Sequence, residues 1–193
     1  MSKMQNYAVD VTLDPDTANP ELILSEDRKE VRHGDREQVL PDRPERFNPA
    51  PNVLGKEGFS SGRAYWEVHV GGKTEWDLGV ARESVSRKGR ITLCPENGCW
   101  TIWLRNGRKY TANESAPVPL ILRVKPQKVG VFVDYEKGEV SFYDVETRSH
   151  IYSFTGYTFR EKLYPFFSPC GNNGGANSAP LIITPLVGEN SGR

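Results

Sequence analysis

The sequence predicts an all-β chain folded as an antiparallel β-sandwich. Short runs of β-branched and aromatic residues recur along the chain, each bounded by Gly, Pro, Asn or Asp. Asn-Gly pairs punctuate these runs, and both central positions of a two-residue hairpin want φ > 0. Helical periodicity is hard to find. Several short strands at such spacing are the pattern of a two-sheet sandwich.

Asp14-Pro15-Asp16 is turn chemistry, and Ala18-Asn19-Pro20 is expected to follow as one short helical turn. Leu22–Leu24 reads as a short strand. Residues 26–46 are dense in charge of both signs, which reads as a solvated surface stretch. Residues 64–70 alternate as a half-buried strand, and Trp76–Ala81 follows after the break at Gly71-Gly72-Lys73. Asn97-Gly98 is one hairpin signal. Asn106-Gly107, between Trp100–Leu104 and Arg108–Tyr110, is another. Glu136-Lys137-Gly138 joins strands at Val129–Asp134 and Glu139–Val145. His150–Phe154 and Leu181–Leu186 close the series, and a polar, frayed tail is expected after Val187. No internal repeat occurs.

Composition narrows the function. A chain of 193 residues fits one domain and buries roughly 70% of its unfolded surface, so it needs no disulfide or metal staple. The 25 Lys+Arg balance 25 Asp+Glu, so the chain lacks a basic footprint for nucleic acid. No stretch approaches the roughly 20 apolar residues that span a bilayer, and Met1–Asn6 lacks the apolar core of a signal peptide. Cys94, Cys99 and Cys170 are an odd set without CxxC spacing or a nearby His, so zinc is not expected and reduced thiols in a cytoplasmic protein are. Asn113-Glu114-Ser115 matches the glycosylation sequon but arises readily by chance.

Catalytic patterns are sparse. Gly58-Phe59-Ser60-Ser61-Gly62 fits G-x-S-x-G on paper, but a nucleophile elbow needs a helix after its serine, and Arg63–Val70 reads as a strand. His33, His69 and His150 are the only histidines available as general bases. Asp14 and Asp16 lack the Gly and distal Glu of a calcium loop. Arg87-Lys88-Gly89-Arg90 reads as a solvated hairpin tip. Trp100 and Trp103, three apart on a strand, fall on opposite faces, so one belongs to the core and the other can be exposed. An exposed Trp is a good anchor for protein recognition. Arg105 shares the face of Trp103 and can stack on it or pair with an acid.

Val11–Asn19 looks like the LDP motif that opens a PRY segment. Tyr65-Trp66-Glu67-Val68 resembles the WEV motif, Val133–Gly138 leading into Val140–Tyr143 the LDYE motif, and Tyr164–Ser168 the closing block. Together these resemble a PRY-SPRY (B30.2) domain of the tripartite-motif ubiquitin ligases, over about residues 7–187. The resemblance implies a bent, concanavalin-like two-sheet sandwich with a short N-terminal helical PRY element. Its segments would be 1–8, a linker or an introduced start; 9–60, PRY; 61–187, SPRY; and 188–193, a tail.

It also implies a role: selecting the protein or peptide target of a tripartite-motif E3 ubiquitin ligase in innate immune or cytosolic quality-control signalling. The chain itself would not be an enzyme and would carry no cofactor, zinc being expected only in a RING and B-box elsewhere in the parent. No nucleic acid or membrane insertion is expected. The isolated domain would be monomeric, with the parent dimeric through a coiled coil. Set against the antibody-Fc-binding member of that family, Asp77 and Trp103 match binding residues. A second binding Trp falls on Arg105, and a binding Phe falls near Gly171, beside Asn172. Two of four anchors are lost, so tight Fc binding is not expected. The predicted protein-binding residues are Asp77, Trp103, Arg105, Gly171 and Asn172. The alternative is a butyrophilin-like or receptor-type sensor domain that binds a partner protein or a small anionic ligand, the latter held by Arg82, Arg87, Lys88, Arg90 and Arg105.

Overall fold

The computed structural model describes residues 1–186. The expected tail after Val187 lies outside the described residues. Among the described residues, thirteen strands form two antiparallel sheets. They are β1 (Leu22–Leu24), β2 (Glu30–His33), β3 (Val53–Leu54), β4 (Arg63–His69), β5 (Trp76–Arg82), β6 (Cys99–Arg105), β7 (Lys109–Ala112), β8 (Val118–Leu120), β9 (Lys128–Asp134), β10 (Glu139–Asp144), β11 (Ser149–Phe154), β12 (Leu163–Ser168) and β13 (Leu181–Ile183). One sheet runs β1-β2-β13-β4-β9-β10-β11 and the other β3-β12-β5-β6-β7-β8. The first 54 residues therefore contribute strands to both layers.

Period-2 alternation explains the core. Ala64, Trp66 and Val68 of β4, and Val129, Val131 and Val133 of β9, face Leu78, Val80, Ile102 and Leu104 of the opposite sheet. The alternate residues of the six-stranded sheet form a second, outer cluster. There Ala81, Cys99 and Phe166 are covered by Phe47, Leu54 and Val85. With both faces covered, β5 stays buried from Trp76 to Ala81. The β6–β7 hairpin turns at Asn106 (φ 55°) and Gly107 (φ 72°), as its sequence demands.

Several readings are corrected. Asn97-Gly98 is not a hairpin. Pro95–Asn97 forms a short 3₁₀ turn that Gly98 (φ 83°) caps before β6 begins. Ala18–Pro20 forms no helical turn, and the one α-helix among the described residues is Ser2–Gln5. Residues 26–46 are not wholly solvated: they contain β2, whose Val31 is buried. Arg46 is buried too, donating to the carbonyls of Pro41, Pro15 and Ala18. A run of charges hid one strand and a cation that staples the N-terminal segment together. The last strand ends at Ile183, short of Leu186.

Candidate protein-binding site

Three strands place the site. The register opposes Asp77 to Trp103 across β5 and β6, and to Ser168 across β5 and β12. Asp77, Trp103 and Arg105 therefore share the outer face of the six-stranded sheet, at the end that the outer cluster leaves open. Trp100 points the other way, into the core, edge-on to Phe159 at 4.9 Å. Trp103 is only half-buried.

The Arg105 guanidinium organises this patch. Its carbon lies 4.1 Å from the Trp103 ring centroid. Nη1 donates to Asp77 Oδ1 at 2.8 Å and to the Leu104 carbonyl at 2.9 Å. The Cys170 thiol lies 3.6 Å from the same carboxylate oxygen. Burial raises the Asp77 carboxyl above its ordinary range, and Arg105 pulls against that shift. Burial also works against the Arg105 cation, but Asp77 and its neighbours outweigh it and hold the guanidinium firmly charged. Burial pushes the Cys170 thiol up strongly, so it is a protonated hydrogen-bonding group and not a nucleophile.

Asp77, Trp103, Arg105 and Gly171 line one hollow of about 210 Å³, with apolar wall from Pro51, Ile91 and Leu93. Asn172 is not part of it. Its amide turns away to the Gly34 carbonyl (3.1 Å) and Asp35 (2.9 Å), tying the 170s loop to the turn after β2. Sequence reasoning missed Pro51, Ile91 and Leu93. They come from the N-terminal segment and the β5–β6 connection, and no local pattern links them to Trp103.

The loop that carries Gly171 is held from beneath. Asn177 is fully buried and donates to the carbonyls of Glu75, Pro169 and Gly171, while accepting from the amides of Thr74 and Glu75. Lys73 is 0% exposed and donates to the carbonyls of Ala179 (2.8 Å) and Asn177 (3.3 Å). Burial drives its amine down to about 8. Neither residue was marked by the sequence, where Lys73 reads as an ordinary turn lysine.

Four of the five cations proposed for an anionic ligand are already engaged or lie apart. Arg105 is paired with Asp77. Arg87 donates to the carbonyls of Val85, Glu45 and Glu83, and Lys88 to Asp42 and the carbonyls of Arg43 and Arg46. The expected solvated tip is thus a clasp on the N-terminal segment. Arg82 lies at the far end of β5. Ser60 sits in an exposed bend that leads directly into β4, which is not the strand-to-helix geometry of a nucleophile elbow. The three thiols are unpaired. Asn113 is buried, with its amide donating to Thr101 Oγ1 at 3.0 Å, so the sequon is a structural asparagine.

A rigid two-sheet scaffold presenting a half-buried Trp–Arg stack in a shallow hollow is a binding module. The chain matches the SPRY domain model over residues 63–181 and the SPRY-associated domain model over residues 11–59. It belongs to the SPRY domain family, whose members are protein-interaction modules. It is 53% identical over 177 residues to the human erythroid membrane-associated protein, covering 92% of this chain and 37% of that protein. It is 49% identical to human pyrin (96% of this chain, 24% of that one) and 49% identical to the bovine E3 ubiquitin-protein ligase TRIM21 (95% and 39%). The chain thus spans less than half the length of these relatives. The crystal structure of the TRIM65 PSpry domain shares the fold, with a TM-score of 0.79 at 22% identity over 95% of this chain and 93% of that one.

Proposed function

We propose that this chain is the target-recognition module of a cytoplasmic tripartite-motif E3 ubiquitin ligase acting in innate immune or quality-control signalling, and that it grips a protein through Asp77, Trp103, Arg105 and Gly171, with Asn172 tying the Gly171 loop to the turn after β2. The observation that carries this reading is the Arg105 guanidinium, stacked on Trp103 and anchored by the buried Asp77. The ion pair fixes the guanidinium, so the Trp–Arg plane is pre-ordered and loses little side-chain entropy on binding. Trp and Arg are the residue types that dominate interface energies. The wall of Pro51, Ile91 and Leu93 suits an apolar or aromatic anchor on the partner. Identity of about half to ligases of this type, including human TRIM68 at 51%, supports the ligase setting. The rival reading, an anionic-ligand sensor, requires convergent free cations, and the acceptors of this chain occupy Arg105, Arg87 and Lys88.

The test compares wild type with Trp103→Ala in a quantitative pull-down and follows captured proteins by titration. Target affinity should fall at least tenfold, about 1.4 kcal/mol, while the melting temperature stays within a few degrees. Unchanged affinity in a folded variant would remove Trp103 from the site.

A further inference from the structure

The two sheets have four edges among the described residues, and three of them are defended. β1 has three residues and β3 two, and β8 has three with Pro119 at its centre. Short edges and prolines are the usual ways to block edge-to-edge pairing. β11 differs. It runs six residues, Ser149–Phe154, without proline or lysine. Its inner side pairs with β10, with one irregularity beside Phe142 and Tyr143. No described strand covers its outer side.

A groove of about 320 Å³ lies at the Ser149 end of this strand, beside the β10–β11 turn. It is lined by Ser149, His150 and Ile151 of β11, by Asp144 and Thr147 before them, and by residues of the segment 121–126, which crosses from one sheet to the other. That segment leaves large apolar side chains in water: Ile121 is 95% exposed and Val124 58%. Its charge is one-sided. Arg123 lines the groove, and Lys125 and Arg148 are exposed next to lining residues in sequence. One acid lines the groove, Asp144, which is buried and already accepts the amides of Glu146 and Thr147.

We propose that β11 and this groove form a second docking site, separate from the Trp103 hollow, for an extended acidic-apolar peptide segment that adds as an eighth strand to the seven-stranded sheet. Backbone pairing along β11 supplies the contact common to all such peptides, and alternate side chains supply selectivity. Period-2 alternation puts every second peptide side chain on the groove side, where aliphatic groups cover Ile121 and Val124. Acidic residues meet the cationic rim. A second copy of this chain is the poorer occupant, since β11 against β11 would bring two sets of the same cations together.

A random 12-residue peptide display library, selected on the intact chain, tests the site. Enriched peptides should alternate aliphatic residues with Asp or Glu. A synthetic peptide of the enriched sequence should bind wild type and Trp103→Ala alike, and at least tenfold more weakly to the exposed-site double variant Ile121→Glu, Val124→Glu. It should slow hydrogen exchange at the amides of β11. The idea is overturned by any of four results: no enrichment over the double variant, basic or patternless sequences, protection at the Trp103 loops in place of β11, or sedimentation showing self-association through this edge. The Trp103→Ala arm separates this outcome from the fate of the primary site.

Discussion

Lys73→Met should change how stability depends on pH, and the size of the change follows from the burial of that amine. Lys73 is 0% exposed and has two carbonyls, but no carboxylate, as its hydrogen-bond partners. Its amine is driven from 10.5 to about 8. Below pH 8 both folded and unfolded chains hold the proton, and the full penalty of burying the cation is present. Between pH 8 and about 10.5 the folded chain releases the proton while the unfolded chain keeps it, so stability rises with pH. With about 1.36 kcal/mol per pH unit, Lys73 should add about 2 kcal/mol between pH 7 and 9.5. The raw curve will not show this, because buried thiols oppose it. Cys99 is pushed up to about 12 by burial and Cys170 is raised as well. Both lose their protons earlier in the unfolded chain, so each removes stability above about pH 8.5. The informative quantity is the difference between wild type and Lys73→Met, in which contributions from groups that do not interact with Lys73, such as Cys99, cancel. Urea unfolding at pH 7, 8, 9 and 9.5 gives it directly. A difference that stays constant over that range would refute the argument and would mean that water reaches the Lys73 amine.

Arg105→Met should destabilise the fold by about 3 kcal/mol, since it strands the buried Asp77 carboxylate; adding Asp77→Leu should recover most of this in thermal melts. Asn177→Ala removes the side-chain partner of five backbone groups, most of them part-buried, and should cost about 2–4 kcal/mol, read by urea unfolding, with target binding weakened in step as the Gly171 loop loosens. Expression through a secretory pathway should leave Asn113 unglycosylated, because its amide is buried on Thr101; a mass shift removed by a glycosidase would contradict that placement.

Much of this protein was readable as a string. Strand period alone put Trp103 and Arg105 on one face and Trp100 on the other, and Asn106-Gly107 announced its hairpin, because both depend on interactions between near neighbours in sequence. The motifs at Val11–Asn19, Tyr65–Val68 and Val133–Tyr143 point to the family without any tertiary information. Long-range register was not readable. That Asp77 sits opposite Trp103, that Pro51, Ile91 and Leu93 wall the same hollow, and that Arg87 and Lys88 clasp the N-terminal segment depend on which strands become neighbours. Burial of charge was also invisible. Lys73 and Arg46 look like solvent-facing cations in sequence, yet each is enclosed by carbonyls from segments that only the fold brings together. Local propensity decides what kind of element forms. Partners for a buried polar group come from wherever the chain returns in space, so the chemistry of this site belongs to the tertiary structure.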